Sequence, residues 1–131
     1  MGKKEELNAI SEAIIGAAIQ VHRELGPGLL ECAYESCLEF ELKERRFDVE
    51  RQVPLPVIYR RHAVECGFRI DLRINSSVIV ELKAIERFEK IHEAQMQTYL
   101  KLTGLNLGLL VNFNVVKLID GVKRIVRDFP T

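Results

Sequence analysis

The seven residues Val78-Ile79-Val80-Glu81-Leu82-Lys83-Ala84 are apolar apart from one acid and one base. A run this rich in β-branched residues reads as a strand, and one apolar on both faces belongs in the middle of a covered sheet. Val78, Val80, Leu82 and Ala84 share one face of it, while Ile79, Glu81 and Lys83 share the other. Leu105 to Phe113 reads as a second strand buried on both faces. The cover comes from helices. From Asn8 to Leu25, Ile10, Ile14, Ala17, Ala18, Val21 and Leu25 recur at three- and four-residue steps, with Asn8 as N-cap and Gly26-Pro27-Gly28 as the stop. A second helix is predicted from near Leu29 to about Arg46, with Leu30, Ala33, Tyr34, Cys37, Leu38 and Leu42 on its apolar side. A third is predicted from about Phe88 to Thr103, ending at Gly104 and carrying Gln95 and Tyr99 on one side.

Between the second helix and the central strand the apolar period drops to two. Val53, Leu55, Val57 and Tyr59 alternate with Pro54, Pro56 and Ile58, and the prolines place this strand at a sheet edge or give it an irregular start. Val64, Cys66, Phe68, Ile70, Leu72 and Ile74 then take one face, with Glu65, Arg69, Asp71 and Arg73 on the other. Asp120-Gly121 predicts a terminal hairpin. The expected fold is α/β: a single domain over residues 1–131, a mixed central sheet flanked by helices, in the order α-α-β-β-β-α-β plus a C-terminal hairpin.

No apolar stretch approaches the roughly 20 residues of a membrane span, so no membrane partner is expected. The charged N-terminus lacks an apolar export segment, which makes the cytoplasm the expected location. Cys32, Cys37 and Cys66 are odd in number and form no C-x-x-C pair, so they read as buried reduced thiols. A zinc set drawn from them and His62 is disfavoured, because Cys32 and Cys37 are five apart and point to different faces of a helix. The 19 basic residues balance 19 acidic ones, so any affinity for nucleic acid must come from local clusters. Three are candidates: Arg45, Arg46 and Arg51; Arg60, Arg61 and His62; and Lys117, Lys123, Arg124 and Arg127.

The chemistry is concentrated at one hairpin. A three-residue loop at Asn75 to Ser77 pairs Ile74 with Val78, and therefore Asp71 with Glu81. Facing carboxylates repel unless something neutralises them, and a hard divalent cation such as Mg²⁺ does so. Lys83 points from the same strand face as Glu81. The plainer alternative is a solvated sheet face on which Lys83, Arg69 or Arg73 pairs with the two acids. Against it, the apolar run around Glu81 and Lys83 would desolvate charges that have no task there.

Asp71 followed by Glu81-Leu82-Lys83 on the next strand resembles the signature of the PD-(D/E)XK nucleases, although Ile70 replaces the proline of that name. Gln95 through Tyr99 is similar to the Q-x-x-x-Y helix motif of RecB-like members, and Gly28-Leu29-Leu30-Glu31-Cys32-Ala33-Tyr34 to the motif of the GxxExxY proteins within that superfamily. The resemblance implies a Mg²⁺- or Mn²⁺-dependent hydrolysis of phosphodiesters, with DNA as a more natural substrate than RNA. It implies that Asp71, Glu81 and Glu31 hold the metal. Lys83 would orient the attacking water or stabilise developing charge, and Gln95 would hold the site or a phosphate. Tyr34 and Tyr99 enter as accessory residues, Tyr34 better explained by packing than by catalysis, and Gln95 and Tyr99 also explained by capping or bracing the sheet. The competing expectation is a catalytically silent nucleic-acid-binding or protein-interaction module on the same fold. Neither reading fixes the oligomeric state, and both leave room for a homo-oligomer.

Overall fold

The computed structural model describes residues 2–64 and 67–131. The strand and thiol expectations for Glu65 and Cys66 lie outside the described residues. The helices are α1 (Lys3–Leu25), α2 (Glu31–Glu44) and α3 (Lys90–Thr103). The strands are β1 (Val49–Pro54), β2 (Val57–Tyr59), β3 (His62–Val64), β4 (Arg69–Ile74), β5 (Val78–Lys83), β6 (Leu107–Asn112) and β7 (Val122–Val126).

A five-stranded sheet runs in the order β1-β4-β5-β6-β7. Among the described residues β5 and β6 alone pair in parallel, with α3 carrying the chain from one to the other. These two strands are central and buried along their length apart from half-buried Lys83, as their apolar runs require. One face packs Val78, Val80 and Leu82 of β5 against Ile14, Ala17 and Val21 of α1 and Tyr34, Leu38 and Leu42 of α2. The other packs Ile79 and Leu110 against Met96, Tyr99 and Leu100 of α3. Gly108 lets α3 approach this closely, because a Cβ there would run into the Met96 side chain. The result is the α/β fold with a mixed, helix-flanked sheet that the sequence predicts.

Several local expectations are corrected. Helix α1 begins at Lys3, so Asn8 lies within it and accepts a hydrogen bond from Arg124 instead of capping (2.7 Å). Helix α2 starts at Glu31, after an exposed Leu30. The alternating run from Val53 to Tyr59 is two strands rather than one. β1 is an edge strand of the main sheet, whereas β2 pairs with β3 alone. Proline 56, which has no N–H to donate, stands at the break. Ile70 packs on the α3 side while Leu72 and Ile74 pack on the other, so the expected alternation breaks at Asp71. Asp120 and Gly121 close a 3-10 turn (Leu118–Gly121), and the terminal antiparallel pair is β6 with β7. Cys32 is exposed and Cys37 half-buried at the edge of the α1–α2 core, so neither is the fully buried thiol expected.

Candidate active site

The site begins with a turn. Asn75 and Ser76 both take positive φ (50° and 52°), and the Ser77 N–H donates to the Ile74 carbonyl (2.9 Å), the geometry whose twist suits a tight hairpin. It sets the register at Ile74 with Val78, Arg73 with Ile79 and Leu72 with Val80. The next rung belongs to Asp71 and Glu81, where side chains take over from the backbone. The Asp71 N–H donates to Glu81 Oε2 (2.8 Å), and the Leu82 N–H donates to Asp71 Oδ2 (2.9 Å).

Glu81 is buried, and its carboxyl is pushed up to about 9, first by loss of solvent and then by the charge of Asp71. The attraction of Lys83 is the weakest influence on it. Lys83 lies beside Asn112 of β6 and forms no ion pair among the described residues. Arg73 is committed to Glu50 through two bonds of 2.8 Å, and Arg69 reaches only the Gln52 carbonyl (3.4 Å). The ion-paired sheet face is therefore not what the chain builds.

Helix α2 brings a third acid that the sequence reading did not single out. Glu31 is exposed and accepts the Ala84 N–H just beyond β5 (3.3 Å). Glu35, one turn later on the same side of the helix, is buried and accepts from Gln52 Nε2 at 2.6 Å. That amide also lies 3.4 Å from Asp71 Oδ1, so Gln52 joins the two carboxylates. Gln52 stands across from Asp71 in the β1–β4 register with a φ of 53°. The Glu35 carboxyl is raised by burial and by Asp71, against the opposing pull of Gln52 and Arg51. The signal available in sequence was the four-residue spacing of Glu31 and Glu35.

Tyr34 fixes the height of that helix. Its hydroxyl donates to the Gly26 carbonyl (2.6 Å) and accepts the Leu29 N–H (3.1 Å), while its ring stacks on Phe113 at 4.3 Å. The loop it closes includes Gly28 at a φ of 102°, a conformation natural to glycine. From α3, buried Tyr99 borders the site. Its phenol is raised by burial and then by the charges of Glu81 and Asp71. Gln95, a turn earlier, is half-buried and makes no side-chain hydrogen bond among the described residues. Buried Asn112, also not singled out, accepts from the Ile85 and Asn114 N–H groups (both 3.1 Å) and donates to the Ile85 carbonyl (2.9 Å). It pins the segment that leaves Lys83.

Among the described residues no three His, Cys, Asp or Glu side chains converge into a ready-made metal cage. Asp71 and Glu81, with Glu35 behind them, instead offer hard oxygens, and no arginine or lysine among the described residues pairs with Asp71 or Glu81. Two carboxylates supplemented by water suit Mg²⁺ or Mn²⁺, and the absence of sulfur or imidazole from the set argues against zinc.

An acid pair at the open end of a mixed, helix-flanked sheet, with a lysine on the same strand, is the arrangement of a nuclease-like α/β fold. The sequence matches the family model of the PD-(D/E)XK nuclease superfamily over residues 8–125, and the chain belongs to that superfamily. Nucleases of this superfamily generally use divalent metal ions. No curated protein and no solved structure matches the chain. No helix among the described residues is long and apolar enough to cross a membrane.

Proposed function

We propose that this chain is a Mg²⁺- or Mn²⁺-dependent nuclease of the GxxExxY group, a single domain of residues 1–131 that hydrolyses DNA phosphodiesters in the cytoplasm. One observation carries the reading: Asp71 and Glu81 face each other with no arginine or lysine among the described residues paired to them. Such a pair costs stability unless a proton or a cation neutralises it, and a cation gives it chemistry to do.

Asp71 and Glu81 hold the ion. Glu35 takes the part of the helix acid, steadied by Gln52, and Glu31 supports the end of β5 through Ala84. When bound, the cation supplies Lewis-acid stabilisation of the charge on the phosphate. Lys83, free of ion pairs among the described residues, orients the attacking water and meets the charge that develops as the P–O bond breaks. Gln95 holds a phosphate, and Tyr34 and Tyr99 brace α2 and α3 around the site.

Incubation of the protein with labelled DNA and Mn²⁺ tests this. Cleavage is expected from the wild type and not from Asp71→Ala or in the presence of a chelator. The balanced net charge favours a second reading, a silent binding module. That reading prevails if Mn²⁺ binds but no DNA or RNA is cut.

A further inference from the structure

The fold sorts the basic clusters of the sequence. Arg45 pairs with Glu41, Arg51 with Glu35 and Glu39, and Lys123 with Glu93, while Arg124 lies over the Phe129 ring. Arg46, Lys117 and Arg127 also lack an ion pair among the described residues, but each has a paired neighbour in its cluster; Arg60, Arg61 and His62 do not. They are exposed at the tip of the β2–β3 hairpin and form no ion pair among the described residues. No acid occurs from Val53 to Val64, and Glu65 lies outside the described residues.

The hairpin also shows apolar surface. Tyr59 is 62% exposed and Ile58 59%, and the Arg60 guanidinium stands 5.5 Å from the Tyr59 ring centre. At the base is a groove of about 440 Å³, lined by Leu55, Pro56, Val57, Val64 and Phe68 and edged by Arg69. Arg69 stands two residues before Asp71, so the edge of the groove lies about 7 Å along β4 from the carboxylate pair. A two-stranded ribbon paired only with itself is marginal in water, and this one is built from groups that suit a ligand.

We infer that the β2–β3 hairpin and its basal groove hold an unpaired DNA strand, with bases against Tyr59 and Phe68 and phosphates against Arg60, Arg61 and Arg69. The inference rests on the nuclease reading for what the strand is brought to. Charge complementarity selects a polyanion, and the exposed aromatic and apolar surface selects one whose base faces are open. A duplex hides those faces and would engage the arginines alone.

Binding is measured without turnover, by fluorescence anisotropy of a labelled oligo-dT and of a blunt duplex in a chelator at several salt concentrations. The wild type is expected to bind oligo-dT more tightly than the duplex. Replacing both Arg60 and Arg61 with Ala should weaken binding about tenfold and reduce the salt slope by about two phosphate contacts. Tyr59→Ala and Phe68→Ala should each weaken it several-fold with the salt slope unchanged. Binding in the chelator needs neither metal nor turnover, so oligo-dT that is bound but never cut would sink only the nuclease reading. Preference for the duplex, or wild-type affinity in the arginine and aromatic variants, would overturn the proposal. The three variants replace exposed residues, and thermal melts matching the wild type confirm that a loss is not unfolding.

Discussion

Asp71 and Glu81 complete the rung between β4 and β5 with their side chains, each carboxylate accepting a backbone N–H from the opposite strand. The acids that repel each other are thereby also the acids that hold the strands together at the site. Asp71→Asn should keep the bond to the Leu82 N–H and therefore the fold, while losing most Mn²⁺ affinity. Asp71→Ala should lose both, with a stability cost of about 1–3 kcal/mol from the unpaired Leu82 N–H. Urea melts and metal titrations on the two variants separate the roles.

Glu81 supplies a pH dependence. Its folded carboxyl is raised from the ordinary 4.5 to about 9, so its protonated form is the one the metal-free fold favours. Metal-free protein should then lose stability as pH rises from the unfolded value toward the folded one, a loss absent from Glu81→Gln. Mn²⁺ competes with that proton, so its affinity should climb over the same window. A pH-independent difference in melting temperature between the two proteins would show that the Glu81 proton is not coupled to folding.

The proposed site gives the part of the helix acid to Glu35 and a supporting contact to Glu31. Glu35→Gln should weaken Mn²⁺ binding about tenfold or more, whereas Glu31→Gln, which disturbs only the 3.3 Å contact to the Ala84 N–H, should change it little. The reverse order would return the role to Glu31.

How far the site could be read in sequence follows from how local its causes are. The Asn75–Ser77 turn fixes the hairpin register, so the facing of Asp71 and Glu81 was visible from counting residues alone. Glu35 was not, because its burial depends on Gln52, a residue of an edge strand 17 positions away. On the helical wheel it sits beside the apolar stripe and reads as a solvated flank. The split of the Val53–Tyr59 run was hidden for a related reason. Alternation specifies an extended chain but not its partner, and only the pairing of β1 with β4 shows that β2 has left the sheet. The helix and central-strand assignments were legible because each rests on a long, strongly periodic stretch.

Tyr34→Phe isolates a purely structural element. Losing the hydroxyl leaves the Gly26 carbonyl and Leu29 N–H without their partner but keeps the stack on Phe113. The expected cost is about 1–3 kcal/mol in denaturant melts, with Mn²⁺ affinity nearly intact.

Lys83→Ala should bind Mn²⁺ as well as the wild type or better, because a positive charge beside the carboxylates is removed. Its cleavage rate should fall by about a hundredfold or more if the amine orients water or meets developing charge. Wild-type turnover would reduce Lys83 to a bystander at the end of β5.

The most direct measurement is calorimetric titration of Mn²⁺ into the wild type and Asp71→Asn at mildly alkaline pH. Saturable binding to the wild type, strongly weakened in the variant while its melting curve stays close to the wild type's, is the expected result. Equal binding to both proteins would contradict the assignment of Asp71 and Glu81 as the metal site.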